Sequence, residues 1–275
     1  MQNLLDTVNN TVKNTVNSTR EKHELPFTVY SSVKEQKLLN VPIVKPLLIV
    51  ILNGDKALGK DSELICHAGD FIFLSDSSTI TIRNIPKNKE YLALLIEFDY
   101  QDFDGLQISE FNQKNYYIGK TTPILAICLQ QFVESAEWAP KPVLSLRKKE
   151  IIALLCHLGH QEILSMVGNP QIGNRLHDMF CAQGFNTLTI EHICEQLAMS
   201  ESTLRRKLKL EGTSVQEIKD QARLGLGLDL LQTTHHAIGL IAEKCGYQSQ
   251  SRFTDRFKGR FGLTPSELRK TKMAG

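Results

Sequence analysis

The sequence predicts an α+β chain: a small N-terminal β-barrel with two following helices, then an all-α C-terminal part holding two helix-turn-helix units. Three observations carry this. Between residues 26 and 100, short apolar or alternating runs are separated by turn residues, the pattern of a barrel or sandwich. From residue 123 the apolar residues fall at helical spacing instead. From residue 187 one plan, helix, short turn, helix, occurs twice. A length of 275 residues suits two domains, each large enough for a core of its own.

Residues 1–24 place Leu4, Leu5, Val8, Val12 and Val16 near helical spacing, but they are rich in Asn, Thr and Val, which are poor helix formers. A flexible N-terminal arm is expected there. Residues 25–167 form the expected regulatory or dimerisation domain. Its strands are Phe27–Tyr30, Leu47–Leu52, Ser62–Cys66, Phe71–Leu74, Thr79–Arg83 and Tyr91–Phe98. Turn signals between them include Asn53-Gly54-Asp55, Ala68-Gly69-Asp70 and Ser75-Asp76-Ser77-Ser78. Two helices follow over 123–167, broken at Trp138–Pro142. Gly168-Asn169-Pro170 stops the second and marks the expected boundary. The third unit is expected over 171–272.

Apolar residues are 41% and charged residues 23%, which excludes disorder of the whole chain. The longest apolar run, Pro46–Leu52, is far below the ~20 residues of a spanning helix, so no membrane partner is expected. No secretory pattern is visible, and a cytoplasmic location is expected. The six cysteines form no C-x-x-C pair and mostly sit in apolar patterns, so they read as reduced thiols and not as a disulfide frame or zinc site. Charge is mildly uneven: residues 171–275 hold 15 Lys+Arg and 11 Asp+Glu, a balance of +4, against −2 for the rest. That permits a nucleic-acid partner without requiring one.

Local placement of charge is more informative. The first pair is Thr189–Leu197, a turn at Ala198-Met199-Ser200, and Glu201–Leu210. The second is Ile238–Cys245, a turn at Gly246-Tyr247-Gln248, and Ser249–Phe261. A helix that enters the DNA major groove needs one apolar face for packing and one polar, basic face for the duplex. Leu204 and Leu208 supply the first face in one pair, and Phe253, Phe257 and Phe261 in the other. The candidate DNA-binding residues are Ser202, Thr203, Arg205, Arg206 and Lys209, then Gln250, Ser251, Arg252, Asp255, Arg256 and Lys258. Arg suits guanine edges, Gln suits adenine edges, and Lys near a helix end suits phosphates.

The stretch Ala237–Arg269 resembles the C-terminal signature of the AraC/XylS family of bacterial transcription regulators. The resemblance is carried by Ile241-Ala242, Cys245-Gly246-Tyr247, Ser249-Gln250-Ser251, Phe253, Arg256-Phe257-Lys258, Phe261-Gly262 and Thr264-Pro265-Ser266. Upstream, Leu188, Ile193, Leu197-Ala198-Met199-Ser200, Leu204-Arg205-Arg206 and Leu208-Lys209 match the first reading head. Arg223-Leu224 and Leu230-Leu231 match the connecting helix. The resemblance implies seven helices, double-stranded DNA as partner and RNA polymerase as a second one. It implies base contacts at Ser202, Arg205, Arg206, Gln250, Ser251, Arg252 and Asp255. An acid at Asp255 and glycines at Gly225 and Gly227 depart from the family pattern, and the glycines suggest an adjustable angle between the heads.

The N-terminal pattern also resembles the cupin-like regulatory domain of that family, which implies control by a small-molecule effector or a regulatory protein, and a possible homodimer through the helices at 124–167. A basic residue lining the barrel (Lys34, Lys37, Lys45 or Arg83) is a candidate holder of a carboxylate, with surface lysines as the alternative. His67 is the only His between 24 and 156, so no metal, cofactor or enzymatic cupin chemistry is expected. No nucleophile elbow, phosphate loop or dinucleotide fingerprint appears. The expected function is a sequence-specific transcription regulator, an activator by preference. The alternative is a ligand-binding cupin protein whose helical tail mediates protein contacts.

Overall fold

The strand Leu47–Asn53 shows how the N-terminal half is built. Successive side chains on a strand point to opposite faces, and here both faces are apolar. Leu48, Val50 and Leu52 enter one core, while Leu47, Ile49 and Ile51 enter another. The computed structural model describes residues 1–17, 25–60, 64–75, 79–88, 90–106, 114–168 and 171–272.

Among the described residues nine strands make two antiparallel sheets: β1 (Thr28–Ser32), β2 (Gln36–Pro42), β3 (Leu47–Asn53), β4 (Asp55–Leu58), β5 (Leu64–His67), β6 (Asp70–Leu74), β7 (Thr79–Ile85), β8 (Tyr91–Glu97) and β9 (Tyr116–Lys120). One sheet runs β1-β8-β3-β6-β9 and the other β2-β7-β4-β5. The two sheets face each other but do not close by hydrogen bonding, so the expected barrel is an open sandwich. Closure requires the edge strands to pair, and here β1, β9, β2 and β5 remain edges. The α+β class stands.

The outer face of the five-stranded sheet is covered by α2 (Pro123–Ser135), α3 (Lys141–His157) and α4 (Glu162–Met166). The expected arm also differs. Gln2–Asn17 forms a helix, α1, whose Leu4, Val8 and Thr11 are buried and which packs on α2. Burial of one face at i, i+4 and i+7 supplies the stability that propensity withholds. The rest of the arm, 18–24, and most of the turn at 75–78 lie outside the described residues, as do residues 169–170 of the expected boundary.

Among the described residues seven helices follow: α5 (Ile172–Gln183), α6 (Ile190–Gln196), α7 (Glu201–Leu210), α8 (Val215–Thr233), α9 (Ile238–Lys244), α10 (Gln250–Phe261) and α11 (Pro265–Arg269). Leu176, Phe180, Ile193, Leu204 and Leu208 form a separate core around α6 and α7. The second pair has none to itself. Phe253, Phe257 and Phe261 share a continuous core with Leu38, Ile49, Ile72 and Tyr91 of the sandwich. The boundary expected at 168–170 therefore does not divide the hydrophobic cores.

Candidate nucleic-acid interface

The second helix of each pair begins where a local signal places it. Ser200 Oγ accepts from the Thr203 N–H at 3.3 Å and starts α7. Ser249 Oγ accepts from the Arg252 N–H at 3.3 Å and starts α10. Such caps satisfy amides that a helix leaves open at its first turn. The sharp turn ahead of each uses a left-handed residue, Gly246 (φ 75°) in the second pair and Ala198 (φ 50°) in the first. Only glycine adopts that conformation without steric cost.

With the apolar side of each helix buried, the other side faces solvent. Ser202, Arg205, Arg206 and Lys209 are exposed along α7, and Thr203 is half-buried beside the cap, where its hydroxyl meets Ser200 Oγ at 3.0 Å. Gln250, Ser251, Arg252, Asp255, Arg256 and Lys258 are exposed on α10. The structure thus gathers the candidate residues on two separate helical faces. The two differ in charge pairing. Arg205 is held by Glu201 one turn earlier, with Nε at 2.7 Å and Nη2 at 2.6 Å from the carboxylate. Among the described residues Arg206, Arg252 and Arg256 have no such ion pair.

The heads are joined by α8, where Gly227 has a packing reason. A Cβ there would lie 2.7 Å from the Phe253 ring and 3.4 Å from Cys245 Sγ. Gly227 is required by the close approach of α8 to α10, whereas a Cβ at Gly225 would meet open space. Arg223 further ties the heads: its guanidinium donates to Asn186 Oδ1 at 2.7 Å and lies 5.8 Å from the Phe185 ring and 5.4 Å from the Tyr247 ring. Stacking of this kind favours a set angle.

Other candidates stand as follows. Lys45 bridges Asp99 at 2.8 Å and Asp178 at 3.2 Å, and those carboxylates hold its pKa above the usual lysine value despite burial. Arg83 pairs with Glu35. Among the described residues, the cation enclosed by the sandwich is Lys56, which sequence reasoning missed. Burial lowers its pKa to about 7. Nothing in local spacing marks Lys56, because its neighbours Asn84 and Tyr91 come from other strands. His67 Nδ1 lies 3.0 Å from Asp55, and Lys87 lies 2.6 Å from the same carboxylate. No cluster of three or more metal-capable His, Cys, Asp or Glu occurs among the described residues. Cys66, Cys128 and Cys245 are buried free thiols, while Cys181 is exposed.

A helix-turn-helix domain family matches residues 193–271, which span both turns and both basic helices. The C-terminal region is an AraC-type helix-turn-helix domain. The urease operon transcriptional activator of Escherichia coli is 32% identical over 80 residues, 29% of this chain and 27% of that protein. The regulator GadX of Escherichia coli strain K12 is 32% identical over 127 residues, 44% of this chain and 46% of that one. The matched region spans less than half the length of these curated relatives. Around the AraC-type domain the whole architecture is similar to ToxT from Vibrio cholerae. An apo ToxT structure covers 92% of this chain and all of that one at a TM-score of 0.67 and 15% identity. An unsaturated fatty acid-bound ToxT structure gives 0.65 at 14%. At that identity the likeness is one of fold. No described helix is long and apolar enough to cross a membrane.

Proposed function

We propose that this chain is a sequence-specific DNA-binding regulator of transcription, acting as an activator. The observation that carries the reading is the pair of capped basic helices, α7 and α10, exposed on two turns of one AraC-type domain and held at a set angle by α8. In this reading Ser202, Thr203, Arg205, Arg206 and Lys209 face one major-groove segment. Gln250, Ser251, Arg252, Asp255, Arg256 and Lys258 face the next, about one turn or ~34 Å away. Residues 171–272 act as the DNA-binding unit and 25–167 as the unit that controls it. RNA polymerase is the expected partner at the promoter, in the cytoplasm. A small-molecule effector or regulatory protein acts on the N-terminal half, as one similar solved protein holds a fatty acid. Exposed Ile124, Ile127, Trp138 and Leu146 on and beside α2 and α3 offer the surface for a homodimer. No catalytic role is assigned.

A second reading, a ligand-binding sandwich whose helical tail serves protein contacts, draws on the core that α10 shares with the sandwich. Selection of bound sequences from random duplex DNA with the full chain separates the two. The first reading expects an enriched motif of two short blocks about one turn apart, with log K falling as log salt rises. It also expects Arg206→Ala and Arg256→Ala each to cost about 1–3 kcal/mol of binding, at different blocks. No enrichment by folded protein, and no effect of either substitution, rejects it.

A further inference from the structure

A line of hydrogen bonds crosses from the sandwich interior into the AraC-type domain. It starts at the Lys56 amine, which is 1% exposed and donates to Asn84 Oδ1 at 2.6 Å and to the Tyr91 hydroxyl at 3.2 Å. The Asn84 amide donates to Gln36 Oε1 at 3.0 Å. The Gln36 amide donates to Thr271 Oγ1 at 2.7 Å, and Thr271 donates to the Leu268 carbonyl of α11. Gln232 of α8 enters as a branch, donating to Gln36 Oε1 at 3.2 Å. All donors along the main line point away from Lys56, so each bond polarises the next. Lys56, Asn84, Gln36 and Gln232 are each at most 2% exposed, so water does not replace a lost partner while the halves stay docked.

Gln36 is the junction, since it joins β7, α8 and the end of the chain. The docked arrangement is also imperfect there. Gln232 Oε1 is buried with no partner among the described residues. Buried orphans of this kind oppose the docked state, because opening would hydrate them. The same contact restrains the second reading head. The β2 bulge puts Asn40 in a left-handed conformation (φ 47°), and its carbonyl accepts from Arg260 Nε of α10 at 2.9 Å. Leu39 lies against Gly262, and the Val33 N–H donates to the Thr271 carbonyl at 2.8 Å.

We propose that the line Lys56–Asn84–Gln36–Thr271 is an interdomain latch: intact, it holds α11 and the end of α10 against β2, and broken at any link it lets them go. Its existence is independent of the DNA-reading proposal, and only its consequence, release of the second head, rests on that reading.

Hydrogen exchange on the full chain tests the latch. Thr271→Val cuts the last link at a half-buried chain end, and Asn84→Leu cuts an inner one whose hydrogen bonds stay within the N-terminal half. Both are expected to speed exchange at 33–42 and 260–272 at least tenfold, with 47–53 unchanged as the report of an intact sandwich. Unchanged exchange at 260–272 in Asn84→Leu, with 47–53 protected, overturns the proposal. If Asn84→Leu loosens 47–53, Lys56→Met, close in volume, replaces it under the same criterion. Titration with a mixed-sequence duplex runs beside this. Binding several-fold tighter in the variants supports release of the head. Faster exchange with no DNA binding by any protein keeps the latch and rejects the DNA-reading function. DNA binding with unchanged exchange does the reverse.

Discussion

The two helix-turn-helix pairs follow the same local plan and sit in different surroundings. The α6–α7 pair packs on a core of its own with α5 and the start of α8. The α9–α10 pair packs its three phenylalanines into a core shared with the sandwich. Both present an exposed polar and basic face. Among the described residues, only the second has a basic side chain, Arg260, held by the N-terminal half. The comparison teaches that one plan can yield one head packed on a core of its own and another whose core is shared with a neighbouring sheet. Coupling between domains here needs a shared core and a few polar bonds. It needs no special sequence in the head itself.

The largest test of that difference is in the cores. Phe257→Ala is expected to cost about 3–5 kcal/mol. Because its core is shared, loss of protection should appear in both α10 and the four-stranded sheet. Leu208→Ala is expected to cost about 2–5 kcal/mol, with the loss confined to α5–α7 and the start of α8. Denaturant unfolding followed by segment-resolved exchange distinguishes the two, and a purely local response to Phe257→Ala would erase the contrast.

A smaller pair of effects lies in α8. Gly227→Ala forces a Cβ against Phe253 and should destabilise by about 1–3 kcal/mol. Gly225→Ala meets open space and should stabilise by about 1 kcal/mol through helix propensity. Thermal unfolding checks both. Equal signs would show that α8 bends where we describe it as packed.

The smallest expected effect concerns pH at the contact between α8 and β1. Burial first, and then the charge of Glu97, raise the Asp229 pKa to about 6. The unfolded carboxyl titrates near 4. Between those values the folded state holds a proton that the unfolded state has lost, so Asp229 makes stability fall as pH rises from about 4 to 6. Asp229→Asn should flatten that part of the profile by on the order of 1 kcal/mol. An unchanged slope in the denaturation midpoint would remove Asp229 from the interface electrostatics.

Much of the candidate interface was legible in the chain because its signals are local. Ser200 and Ser249 cap within three residues, and the leucines and phenylalanines repeat every four. Six strands of the N-terminal half, β1, β3 and β5–β8, were legible for the same reason, by alternation and turns, while β2, β4 and β9 were missed. Two local readings missed a distant partner. The Asn- and Thr-rich start was read by propensity, while Leu4 and Val8 are stabilised by α2, which lies over a hundred residues away. Gly227 was read as a source of flexibility, while its reason is Phe253 on another helix.

By itself the sequence determined the α+β class, the strand-rich half ahead of the helical one, the two repeated heads and the polar face of each. Those properties depend on dihedral preference, capping and periodicity over a few residues. The tertiary structure alone decided that the sheets stay open, that α10 joins the core of the sandwich, and that Lys56, Asn84, Gln36 and Thr271 fall in line. Each of these is a meeting of residues far apart along the chain, and burial sets its strength: a lysine or glutamine reads as surface in a sequence until the fold removes the water around it.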